Sequence, residues 1–141
     1  MNRDDERFLR RAIELAAKAR ATGDAPFGSL LVGQDGTVLL EAHNTVLTDH
    51  DITAHPELKL ARWAARELAP NAAAASTLYT SCQPCGMCTG AIDRSGIGRV
   101  VYALSTDQLT GLKPSGGPPK VPQDGPALFD EARAPVDGYY R

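Results

Sequence analysis

No apolar run in this sequence approaches the roughly 20 residues needed to cross a bilayer. The N-terminus, Met1 to Arg7, is charged and has no apolar leader core, so a cytoplasmic location is expected. Cysteine is scarce: there are three, all between Cys82 and Cys88. That is too few and too clustered for a disulfide scaffold, and it fits thiolates on a metal. Nor is there an excess of cationic charge. Fifteen Lys and Arg stand against seventeen Asp and Glu, for a formal net charge of −2. The basic residues are scattered among acids and form no stripe for a nucleic-acid backbone, so nucleic acid is disfavoured and a small or neutral partner favoured. No internal repeat is present. What the chain does have is 141 residues, 43% of them apolar, enough for a single domain over 1–141 with a substantial core.

Periodicity predicts a helix over 4–21, with Phe8, Leu9, Ala12, Ile13, Ala16 and Ala19 on its apolar stripe. Two strands joined by Gln34-Asp35-Gly36 read as an antiparallel hairpin. The polar, aperiodic stretch 43–53 reads as a loop. A helix with Thr53 or Ala54 near its N-cap and Pro56 in its first turn follows. A strand over 76–80, a short helix from Met87 and a strand over 99–104 suggest a parallel crossover. Residues 105–112 read as a helical turn and 113–126, dense in Pro and Gly, as a loop suited to a lid. Trp63, Tyr79 and Tyr102 read as core. The order is that of a small α/β domain with a mixed sheet covered by helices.

The chemistry sits in Cys82-Gln83-Pro84-Cys85-Gly86-Met87-Cys88. Cys85 and Cys88 have the spacing of two thiolates facing one metal from the first turn of a helix. Taken alone, Cys-x-x-Cys is equally a redox pair or half of a structural zinc site, with Cys82 available as a further ligand. His55 opens a predicted helix and Glu57 follows it by two. A histidine, a glutamate two residues on, and a distant Pro-Cys-x-x-Cys form the pattern of zinc-dependent deaminases. One imidazole and two thiolates leave a tetrahedral position for a water, which zinc acidifies toward neutrality. Glu57 is placed to accept and return protons.

The chain resembles the cytidine deaminase-like superfamily, and within it the bacterial branch of guanine, cytosine and tRNA-specific adenosine deaminases. The resemblance rests on Ala25-Pro26-Phe27-Gly28, Asn44, Thr53-Ala54-His55-Pro56-Glu57 and Leu78 to Ile92. It implies a three-layer α/β/α sandwich with a five-stranded mixed sheet. It also implies Zn2+ on His55, Cys85 and Cys88, with Glu57 as catalytic proton shuttle and Cys82 outside the ligand set. Asn44, Phe27, Ala54 and Asp107 are the implied substrate contacts, and a homodimer is the implied assembly. The expected reaction is hydrolytic deamination of a nucleobase, nucleoside or related heterocycle. The alternatives are tRNA adenosine editing and a non-catalytic zinc scaffold. Gln83 stands where many relatives carry glutamate.

Overall fold

The computed structural model describes residues 1–114 and 117–140. Helix α1 spans Arg3–Ala21 and starts in a capping box, with Asp5 N donating to Asn2 Oδ1 and Asn2 N to Asp5 Oδ2. Its buried stripe is the expected one with a single exchange. Leu15 is buried, whereas Ile13, on the flank of the stripe, is half exposed.

Strands β1 (Gly28–Val32), β2 (Val38–His43), β3 (Thr77–Cys82) and β4 (Arg99–Leu104) form one mixed sheet of order β2-β1-β3-β4. Strand β1 is antiparallel to both neighbours, and β3 and β4 run parallel. The hairpin and the crossover are therefore both present. The period of two along the strands distributes β1 between two cores. Leu30 and Val32 meet Phe8, Leu9 and Tyr79 on the α1 face. Leu31 and Leu78 meet Leu60, Ala61, Ala64 and Ile92 on the other. That second face is covered by α3 (Pro56–Glu67) and α5 (Gly86–Ser95). Gly28 has no room for a side chain, because a Cβ there would stand 2.5 Å from Ala12 O and Ala16 N. Its absence lets α1 lie directly on β1.

One polar knot pins α1 to the far edge of the sheet. Arg99 makes two hydrogen bonds to the buried Asp5, at 3.0 and 3.1 Å, and Tyr79 Oη donates to Asp5 at 2.6 Å. The guanidinium beside it holds the Asp5 carboxyl well below the usual carboxylate range. Burial, with the Asp5 charge adding to it, pushes the Tyr79 phenol up to about 12.

The expected fifth strand is absent among the described residues. After β4 the chain enters helix α6 (Thr106–Leu112) through a Ser105–Gln108 capping box. It then meets five prolines between Lys113 and Pro126, and proline cannot donate to a ladder. Two short helices not foreseen in the sequence are α2 (Val46–Asp49) inside the polar loop and α4 (Pro70–Ala74) in the alanine-rich link. Helix α7 (Phe129–Arg133) follows the proline-rich stretch, and every described residue from 117 on is exposed. Tyr102, expected in the core, faces outward on the edge strand β4. No helix of the described residues is long and apolar enough to cross a membrane.

Candidate metal centre

Two helix starts build the site. His55 is the N-cap of α3, with Pro56 and Glu57 following it into the first turn. Cys85 is the N-cap of α5, and Cys88 comes three residues on. The N-cap of α3 thus falls one or two residues later than the sequence suggests. Pro84 lies just before the N-cap of α5 rather than inside the helix. The first-turn N–H groups of a helix have no intrahelical partners, and its positive dipole end favours thiolate over thiol.

His55 Nδ1 lies 3.4 Å from Cys88 Sγ and 3.8 Å from Cys85 Sγ. The three ligand atoms fall within 4.8 Å of one another. Tetrahedral zinc, with bonds of about 2.1 Å to nitrogen and 2.3 Å to sulfur, sets N···S separations of about 3.6 Å. The trio therefore fits a zinc ion as it stands. Its electrostatics agree. Burial lowers the His55 pKa, which keeps the imidazole neutral and able to ligate at pH 7. Burial, helped by the Glu57 charge, pushes the Cys88 thiol far up, so a thiolate there requires a cation beside it. Cys82 is buried, unbonded to another cysteine and outside the group. Among the described residues no fourth His, Cys, Asp or Glu joins the trio, and a coordination position is left for water or substrate.

Glu57 is 6% exposed. Burial raises its pKa, against hydrogen bonds from its own backbone N–H and from Ser29. Ser29 Oγ donates to Glu57 Oε1 at 3.4 Å and lies 2.8 Å from Thr80 Oγ1. Ser29 and Thr80 are cross-strand partners in the β1–β3 register, on the face that also carries Leu31 and Leu78. Neither was singled out from the sequence. The available signal was Ser29, the one hydroxyl in the otherwise apolar strand β1; Thr80 is one of several hydroxyl residues in β3 and does not stand out.

The expected substrate contacts divide. Asn44 and Ala54 are buried and Phe27 is half-buried. Asn44 N donates to Phe27 O, and Thr45 N to Ala54 O, so the three form one connected wall. Asp107 is apart from them, exposed in the first turn of α6. A cavity of about 610 Å³ lies between α1 and α6 and shares Phe27 and Cys82 with the site's surroundings, but contains none of the three ligands. Gln83 bridges two segments. Its Oε1 accepts from Thr106 N and so ties the cysteine segment to the start of α6. An amide oxygen does this as well as a carboxylate oxygen would.

Residues 2–104 match the family model of the cytidine and deoxycytidylate deaminase zinc-binding region. A probable cytosine deaminase of Schizosaccharomyces pombe is 34% identical, in a match covering 99% of this chain and 94% of that protein. The tRNA-specific adenosine deaminase of Haemophilus influenzae is 40% identical over 76% of this chain, and the match covers 61% of that enzyme. The X-ray structure of guanine deaminase from Bacillus subtilis superposes with a TM-score of 0.77 at 31% identity, over 99% of this chain and 94% of that one.

Proposed function

The chain belongs to the cytidine and deoxycytidylate deaminase family of zinc-dependent aminohydrolases, and from that premise we propose that it acts as one domain on a free nucleobase or nucleoside. The exocyclic C–N bond is hydrolysed and ammonia released. His55, Cys85 and Cys88 hold the zinc in this reading. When bound, zinc supplies a Lewis acid that makes water a nucleophile at neutral pH. Glu57 does the proton work. A buried carboxylate with a raised pKa can take a proton from the attacking water and deliver protons to the ring nitrogen and the departing amine. Ser29 holds that carboxylate from the sheet side. The observation that carries the reading is a buried acid set beside three converging metal ligands with no fourth protein ligand among the described residues.

Coverage supports a small substrate over tRNA. Two matches that run nearly the full length of both chains are to a probable cytosine deaminase and a guanine deaminase. Compared structure with structure, one solved in studies of tRNA:A34 deaminases covers 71% of the chain, against 99% for the guanine deaminase, and the chain's net charge is −2. A homodimer belongs to the proposal. Val121, Leu128, Phe129, Tyr139 and Tyr140 are all more than two-thirds exposed, and a second copy would give these apolar side chains cover. A cytoplasmic location is supported by three free cysteines, two of them metal ligands in this reading.

The test is ammonia release from guanine, cytosine, adenosine and a tRNA anticodon stem–loop by the zinc-loaded chain. Turnover of a free base or nucleoside is expected. Turnover of the stem–loop alone, with binding that weakens steeply in salt, would replace this reading with tRNA editing.

A further inference from the structure

Asp24 takes no part in the chemistry above, yet it is among the most heavily bonded buried side chains. It is 4% exposed and follows the C-terminal turn of α1. Its Oδ1 accepts from Leu47 N at 3.0 Å and Thr48 N at 2.9 Å. Its Oδ2 accepts from Thr48 Oγ1 at 2.6 Å and Thr22 Oγ1 at 3.1 Å. Three hydrogen bonds from α2 to this carboxylate, two of them from backbone amides, make a rigid joint between the end of α1 and the single turn of α2. A helix of four residues has no stability of its own and needs such a joint.

The turn so fixed begins beside Asn44. Asn44 Oδ1 accepts from Val46 N at 2.9 Å. A backbone N–H can only donate, so this bond sets which end of the Asn44 amide is oxygen. The Nδ2 end makes no hydrogen bond among the described residues, and no side-chain polar atom there is both sealed and unpartnered. Asn44 therefore presents a donor, and its acceptor is spent within the loop. Lys59 secures the other end of the segment, donating to His43 O and Thr45 Oγ1. On the same side, Asp24 stands three residues before Phe27, whose carbonyl receives Asn44 N.

We propose that Asp24 is a positioning residue for substrate: by clamping Leu47 and Thr48 it fixes the Asn44–Val46 turn, so that Asn44 keeps Oδ1 on Val46 N and holds Nδ2 free as a donor to the base. The proposal rests on the deaminase reading, and its tests separate the two.

The first test is a double-mutant cycle with Asp24→Ala, Asn44→Ala and the double variant. The substrate is whichever of guanine, cytosine and adenosine the wild type turns over fastest. Loss of one hydrogen bond to substrate lowers kcat/KM by roughly 10- to 100-fold. Each single variant should show a loss of that order with zinc content unchanged. The double variant should fall no more than about threefold below Asn44→Ala, because the two act through one contact. Asp24→Asn keeps an oxygen for the two amides and should recover part of the Asp24→Ala loss. Losses that multiply in the double variant would overturn the proposal.

The second test needs no substrate. Hydrogen exchange at Val46, Leu47 and Thr48 should quicken in Asp24→Ala while exchange in β1 and β3 stays as in the wild type. Unchanged exchange at Val46 would overturn the proposal whatever the protein deaminates. Failure of the wild type to turn over any of the three compounds would count against the proposed function and leave the exchange result to decide on Asp24.

Discussion

In the proposed reaction, replacing Glu57 by Gln removes the proton shuttle and little else. The side chain keeps its volume in a site only 6% exposed, so the packing of α3 against β1 is retained. Gln can still accept the hydrogen bond from Ser29 Oγ. It removes a negative charge that raises the Cys88 and Cys82 thiols, which makes thiolate formation easier, and it leaves all three ligand side chains in place. The loss should therefore appear in turnover alone. A positioned acid–base group contributes about 10²- to 10⁴-fold, or about 3 to 5.5 kcal/mol of barrier. Because Glu57 is asked to move protons in more than one step, the upper half of that range is expected. The assay is ammonia release under saturating base, with zinc measured on the same preparation. Full zinc occupancy with turnover within tenfold of the wild type would refute the assignment of Glu57.

The remaining predictions concern the frame around the site. Asp5→Ala should cost about 2–3 kcal/mol at pH 7, below the cost of breaking a fully buried pair because Arg99 is half exposed. The Asp5 carboxyl is held low in the folded state, so its contribution is present above the unfolded value of about 3.9 and lost as pH falls below it. Denaturant midpoints of variant and wild type should therefore converge in acid, and a gap that widened there would contradict the sign. Gly28→Ala should lower stability by about 3 kcal/mol, the upper end for overpacking, since its Cβ meets backbone rather than a mobile side chain; an unchanged urea midpoint would refute the contact. Gln83→Ala should fray α6 at a cost of about 1 kcal/mol, whereas Gln83→Glu should be close to neutral; equal losses in the two would refute the role of Oε1.

Local signals account for what was legible in the sequence. The α1 stripe, the Asp-Gly hairpin, His55-Pro56-Glu57 and Pro84 to Cys88 are each patterns within one continuous segment, and only the pairing of the last two, 30 residues apart from His55 to Cys85, rests on the resemblance. Their chemistry does not depend on the fold, so the His55, Cys85 and Cys88 group is legible in the sequence. What was missed depends on register. Ser29 meets Thr80 and Glu57 because β1 and β3 pair antiparallel with Ser29 opposite Thr80, a fact no single segment contains. Asp24 and Lys59 belong to the same class, each bonding across 14 or more positions. Helices α2 and α4 are too short to show a period. The fifth strand failed for another reason: it was carried over from the resemblance into a stretch whose own prolines oppose a ladder. Asp107, a substrate contact implied by the resemblance, is exposed in the first turn of α6.

The central claim is an open zinc site with two thiolate ligands, and zinc content with ammonia release in Cys82→Ser beside Cys88→Ser tests it most directly. Cys88→Ser should lose both. Cys82→Ser should keep one zinc per chain and turn over base within a few-fold of the wild type, because its sulfur lies outside the converging group. Loss of zinc from Cys82→Ser to the same extent as from Cys88→Ser would mean a closed, four-ligand site, and would contradict the account.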